Sequence, residues 1–204
     1  MCNKAARQLF RGRAKMTKKT ELPKIRCRWC NLKNPIYVAY HDREWGVPCH
    51  DEQKLYEIFL LETFQAGLSW ECILNKRENF RRAYDGFLLD QICEYGEEKI
   101  EKLMQDAGII RNRSKIVASI SNSRIYRDIV RECGGFDHYL DRFTGQAVLR
   151  QPDVSITTNE WSDAISKDLK KRGMKYVGSV TIYAFLQAIG RIDSHETVCF
   201  CSRS

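Results

Sequence analysis

A carboxylate sits inside the most apolar helical stretch of this 204-residue chain. Between Asp51 and Ala66, Leu55, Ile58, Phe59 and Ala66 recur at helical spacing. Glu62 follows Ile58 by four positions and Phe59 by three, so it projects from the middle of that stripe. Burying an ionised, unpaired carboxylate costs several kcal/mol; such a group pairs with a cation, takes up a proton or faces a cavity. An arginine partner or a capping role is the plain reading. Gly67 shifts the balance, because it ends the helix and presents Trp70 as an aromatic platform just beyond the carboxylate.

The length suffices for a real core without disulfides, in one domain or two small lobes. No run approaches the ~18 apolar residues of a membrane span. Residues 1–26 lack the apolar stretch of a secretory signal. The net charge of +8 is local: residues 1–26 hold nine Lys/Arg and one acid, leaving 25 of each sign in 27–204. We expect a basic N-terminal extension, 1–26, disordered or acting as a nucleic-acid arm or organelle presequence, and one compact domain, 27–204. Nine cysteines without a regular framework point to an intracellular, reducing compartment, with Cys72 and Cys93 as buried thiols.

Helical periodicity dominates. It predicts helices over Glu97 to Ala107, Ser114 to Val130 and Ser179 to Ile189, and one from an N-cap at Ser162 through Arg172, stopped by Gly173. Pro23 and Pro35 bracket a stretch read as irregular, and residues 131–160 are the least legible. Strand alternation is almost absent, so the expected class is all-α.

Three constellations carry chemistry. The turn around Gly108, followed by Arg111, Arg113 and Lys115, places backbone N–H groups and cations together as a phosphate site and resembles a helix-hairpin-helix element. An ordinary helical hairpin would look the same. Lys170 to Lys175 is a second basic cluster, at a helix C-terminus where cations are favoured anyway. Cys27 and His41 near one end, and His195-x3-Cys199 near the other, supply two thiolates and two imidazoles, a set suited to tetrahedral zinc. Cys30, Cys49, His50 and Cys201 offer rival sets. Lastly, Tyr37, Tyr40, Trp45 and Trp70 surround Glu62, and aromatic planes facing one carboxylate suit a flat, electron-poor or cationic ring.

These features coincide in one family. YVAYHDREWGVP at 37–48, LE at 61–62, QAGLSW at 65–70, KRENF at 76–80, QDAGIIR at 105–111 and LKKRGMKYVG at 169–178 resemble the DNA-3-methyladenine glycosylase I family. The likeness runs from about Cys27 to Cys199. It implies an all-α helix-hairpin-helix glycosylase fold with one structural zinc ion joining the termini through Cys27, His41, His195 and Cys199. It also implies a base pocket of Tyr40, Glu62 and Trp70 with Tyr37 and Trp29 nearby, Glu62 being the recognition and catalytic group. Gln65, Gly67 and Leu68 would lie at the gap left by the flipped base, and Gly108, Arg111, Arg113 and Lys115 against the backbone. The implied reaction is hydrolysis of the N-glycosidic bond of 3-methyladenine, without lyase activity, on double-stranded alkylated DNA by a monomer without membrane attachment.

Two features depart from the family. The Cys27–Cys30 segment is one residue longer before Pro35, and Cys201 adds a thiol after Phe200. Two other readings use the same residues: a non-catalytic DNA-binding module, and a hydrolase with Cys199 as nucleophile and His195 as base.

Overall fold

The computed structural model describes residues 24–202. The basic extension therefore lies outside the described residues except for its last three positions. Among the described residues the chain forms ten α-helices: α1 (Pro35–Arg43), α2 (Glu52–Gln65), α3 (Trp70–Asn75), α4 (Arg77–Ala83), α5 (Leu89–Cys93), α6 (Glu97–Gln105), α7 (Arg113–Cys133), α8 (Phe136–Thr144), α9 (Glu160–Lys171) and α10 (Ser179–Ala188). Two two-residue strands, β1 (Leu149–Arg150) and β2 (Ile192–Asp193), pair in parallel. The expected all-α class holds. No helix among the described residues is long and apolar enough to cross a membrane.

Helix α2 is the axis. Asp51 caps it by accepting the Lys54 N–H, and every residue from Leu55 to Phe64 is buried. The apolar stripe expected from the sequence is thus one face of a helix enclosed all round, by α10, α7, α8 and α3. Its core neighbours are largely aromatic: Phe136 stacks on Tyr126 at a centroid distance of 4.0 Å, and Phe59 meets Phe136 at 5.4 Å and Phe185 at 5.5 Å.

Several local expectations are corrected. The stretch between Pro23 and Pro35 is irregular over its described residues, as expected; the unexpected element is α1 after it, where Pro35 occupies the first turn and the Asn34 side chain accepts the Ile36 and Tyr37 N–H groups. Ser162 is not an N-cap; Asn159 is, and Ser162 sits three residues on, returning the bond to the Asn159 N–H. Helix α6 stops at Gln105, short of Gly108, since the Asp106 side chain takes the Gly108 N–H at 2.7 Å. Residues 131–160 contain α8 and β1. Cys93 is buried as expected, whereas Cys72 is only half-buried.

The two ends of the described chain meet. The Phe200 N–H donates to the Ile25 carbonyl at 2.8 Å, the Arg26 guanidinium grips Asp42 through two 2.7 Å bonds, and Arg28 reaches Glu196. Buried Arg191 beside β2 holds Asp137 and Asp141 of α8, so the C-terminal segment is tied to the body on both sides.

Truncating the stacked core ring tests this packing. Phe136→Ala should lower the unfolding free energy by about 3–5 kcal/mol, read by urea denaturation; a loss below about 1 kcal/mol would mean that α8 is not seated against α2.

Candidate active site

Helices α1, α2 and α3 converge on a cavity of about 260 Å³. Tyr37 and Tyr40 come from α1, Glu62 from α2, Gln65 from its last turn and Trp70 from the first position of α3, with Trp29 and Trp45 from the flanking loops. The residues that the sequence groups around Glu62 are therefore brought together. Tyr40 and Trp70 are in tilted contact, 5.4 Å between ring centroids at 47°, and together line the slot.

Glu62 is 3 % exposed, and its Oε2 has no hydrogen-bond partner. No ion pair among the described residues involves it, so the arginine-partnered reading fails. Burial alone pushes its pKa up to about 8. The Trp70 Nε1–H is likewise buried without an acceptor. Burial, with the Glu62 carboxylate nearby, also raises the Tyr40 hydroxyl well above the ordinary phenol range. Two unsatisfied polar groups in one aromatic cavity mark a place where a polar ring completes the bonding.

The far wall was not visible in the sequence. Val154, Ile156 and Thr157 line it from the loop after β1, Val180, Tyr183, Ala184 and Gln187 from α10, and Ser194 from the end of β2. Val180, Tyr183, Ala184 and Gln187 share one helical face by spacing, but nothing in the sequence joins that face to the other two segments or to Glu62.

Behind the slot lies the Cys/His cluster. Ligand atoms of Cys27, His41 and Cys199 lie within 4.8 Å of one another, and so do those of His195, Cys199 and Cys201. His41, Asp42 and Cys201 make a third such group. Both imidazoles are held by carboxylates, His41 Nδ1 at 2.9 Å from Asp42 and His195 Nδ1 at 2.9 Å from Asp193. The opposite nitrogens face the cluster: His41 Nε2 accepts the Cys27 N–H at 3.3 Å and lies 3.5 Å from Cys199 Sγ, and His195 Nε2 is buried with no partner among the described residues. Backbone N–H groups of Glu196 and Cys201 donate to the Cys27 and Cys199 sulfurs at 3.4 Å each.

Of the rival ligands, Cys201 enters two of the three groups, as His41 and Cys199 do. Cys30 enters no such group, Cys49 lines a separate cavity, and His50 is engaged by Asp137. The nucleophile reading loses its geometry. Cys199 is buried, lines no part of the slot, and has His41 rather than His195 at 3.5 Å.

The slot and the cluster share a wall. Trp29 lies 5.2 Å from His41, and Trp45 lies 4.6 Å from His195. Gly46 permits this approach: a Cβ there would fall 2.6 Å from His195 Cε1, and its φ of +75° disfavours any side chain.

The expected DNA-contacting residues separate into two groups. Gln65 lines the slot, Gly67 turns the chain at φ +77°, and Leu68 is exposed beside them. The second group is largely occupied elsewhere. Arg113 pairs with Glu97 and Glu101, the Gly108 carbonyl accepts from Lys76 and Asn79, and Lys115 is buried with its Nζ on the Phe64 and Ala66 carbonyls. Only Arg111 of that group is exposed and outside the ion pairs of the described residues. Lys115 is thus enclosed, whereas Arg113 makes its pairs at the exposed surface. The other basic cluster is more open. Arg172 pairs with Glu132 and Asp168, but Lys175 is exposed, and Gly178 at the N-cap of α10 offers no side chain to its first N–H groups.

Residues 29–202 match the family described as methyladenine glycosylase. The DNA-3-methyladenine glycosylase 1 of Escherichia coli (strain K12) is 44% identical over 184 residues, covering 86% of this chain and 96% of that protein. A crystal structure of 3-methyladenine DNA glycosylase I superposes with a TM-score of 0.84 at 42% identity, over 88% of this chain and 100% of that one. A variant of 3-methyladenine DNA glycosylase I, crystallised in complex with 3-methyladenine, has a TM-score of 0.80 at 31% identity, over 84% and 95% of the two chains.

The state of Glu62 is testable through stability. Its pKa is about 8 in the folded chain against an ordinary 4.5, so the native state binds the extra proton between those values and stability falls as pH rises through that window. Glu62→Gln removes this dependence. Urea denaturation of both proteins should show the variant gaining on the wild type from about pH 5 to about pH 8; a constant difference would refute a buried, uncompensated carboxyl.

Proposed function

The chain belongs to the methyladenine glycosylase family, and on that footing we propose that it excises 3-methyladenine from alkylated DNA by hydrolysing the N-glycosidic bond. One observation carries the reading: a buried carboxyl with no cation and no hydrogen bond among the described residues, in a cavity lined by aromatic rings. Alkylation at N3 makes the nucleobase a cation while it is attached to the sugar. A normal adenine entering the slot is neutral and leaves Glu62 in its protonated form. The cationic base makes the carboxylate the favoured form, because opposite charges attract strongly in a low-dielectric cavity. Stacking on Tyr40 and Trp70 adds about 1–3 kcal/mol and offsets the few kcal/mol needed to draw the base from the duplex.

The chemistry is then light. The bond between the base nitrogen and C1′ breaks, its electron pair neutralises the base, and water adds to C1′ with loss of a proton. Once the base is neutral the carboxylate again stands uncompensated, so Glu62 is suited to accept that proton. No lysine lines the cavity among the described residues, which supports a monofunctional glycosylase that forms no Schiff base.

The Cys/His cluster fits a structural zinc ion. Cys27, His41, Cys199 and His195 would hold it, the unpartnered His195 Nε2 and the N–H···S contacts being what such a site leaves ready. The ion would supply folding free energy by joining the termini and no step of the reaction. For the helix-hairpin-helix element, α9 and α10 fit better than the turn at Gly108. The N–H groups at the start of α10 lack a side-chain cap, Lys175 is exposed beside them, and Val180 of the same turn lines the slot. In contrast, the Asn112 side chain caps α7.

Chromatography of bases released from methylated duplex DNA tests the proposal. The wild type should release free 3-methyladenine, and Glu62→Ala should lower the rate at least about a hundredfold, the scale set by losing a positioned acid–base group. Absence of release by the wild type would refute it. For the metal, elemental analysis should find one zinc per chain, and chelation or His41→Ala should lower Tm; an unchanged Tm would refute a structural ion.

A further inference from the structure

Lys115 is buried to 8 % exposure, yet the chemistry above gives it no part. Its Nζ donates to the Phe64 carbonyl at 2.7 Å and the Ala66 carbonyl at 2.5 Å. Phe64 lies in the last turn of α2 and Ala66 is its C-cap, where carbonyls have no intrahelical partner and a cation complements the helix dipole. The two carbonyls flank Gln65, whose side chain lines the slot, and they precede the tight turn closed by the Leu68 N–H on the Gln65 carbonyl at 2.6 Å.

The same helix grips the other surface next to the slot. Lys115 Nζ lies 5.7 Å from the ring centroid of Tyr176, in the loop between α9 and α10. Tyr176 adopts φ +59°, an uncommon conformation for a bulky residue, and its hydroxyl bonds to Ser114 Oγ at 2.8 Å. One helical stretch on, buried Asn122 clasps the Lys175 backbone from both sides, accepting its N–H at 2.9 Å and donating to its carbonyl at 2.8 Å. Helix α7 thus holds the 65–68 rim at one point and the 172–178 loop at three.

We infer that α7 is a strut setting these two surfaces relative to each other, and that Lys115 is the positioning residue fixing the rim against which the base is everted. The inference rests on the slot being the base site. Its content is preorganisation: the rim is ordered before DNA arrives, so less free energy of binding is lost in ordering it. A buried ammonium on two carbonyls does this and contributes no phosphate contact.

The test compares Lys115→Met, Lys115→Arg and Tyr176→Phe with the wild type in the full chain. Three quantities are read: the single-turnover rate of base release from methylated duplex, the affinity for free 3-methyladenine by tryptophan fluorescence, and the slope of log Kd against log salt for an undamaged duplex. Lys115→Met should slow release from duplex about tenfold to a hundredfold, the range a misplacement near 1 Å produces. Free-base affinity and salt slope should stay unchanged, and Lys115→Arg should restore part of the rate. A slope reduced by about one unit would identify a phosphate contact and overturn the inference. So would an unchanged rate, or free-base affinity falling in step with the rate. If Lys115→Met does not fold, Tyr176→Phe decides: slower release with intact free-base binding supports the strut, and an unaltered rate rejects it. A wild type that neither binds the free base nor releases it would instead refute the proposed function, whatever the variants do.

Discussion

Keeping a carboxyl dry and unpaired is the constraint on which the rest of the molecule depends. The desolvation penalty of several kcal/mol has to be met by other contacts, and α2 meets it. Leu55, Tyr56, Ile58, Phe59, Leu60, Leu61 and Phe64 are all buried on that one helix, and each large apolar side chain contributes about 1.5–3 kcal/mol on burial. Their sum exceeds the cost of Glu62 several-fold. A surface helix with a single apolar face could not carry such a residue; a central helix packed by α7, α8 and α10 can.

The second requirement is that the slot stay open against the same hydrophobic pressure. Its walls come from rigid supports on every side. Tyr37 and Tyr40 sit on α1, which a proline and an asparagine cap start sharply. Trp70 opens α3 under the Ser69 cap. Trp29 and Trp45 lean on imidazoles whose orientation Asp42 and Asp193 fix. The closure of the termini is therefore also the backing of the pocket.

Much of this was legible in the residues, and the failures have physical causes. Helix α2 and the long α7 carried apolar residues at helical spacing, and α10 a run apolar nearly all round. Helix α1 did not, because its nine residues mix pocket-facing tyrosines with polar positions and begin at a proline that also suits a loop. Ser162 imitated an N-cap since both partners of a capping box are small polar residues. The aromatic group around Glu62 could be found because its members lie within about forty residues of one another. The wall from Val154 to Ser194 could not, since only the tertiary fold assembles it. Lys115 misled for a different reason: a lysine after a glycine turn reads as a surface cation, and nothing local discloses the two carbonyls that bury it.

The indoles of Trp29 and Trp45 each face two neighbours with different demands, ring stacking on one side and imidazole contact on the other. A substitution that enlarges or reshapes the cavity there would also disturb the cluster behind it, and the reverse holds for Gly46. Divergence at these positions consequently needs paired changes, which are rare. Val154 and Thr157, which line the cavity from the loop after β1, enter none of these ring contacts, so a change of cavity shape there leaves the Cys/His cluster untouched.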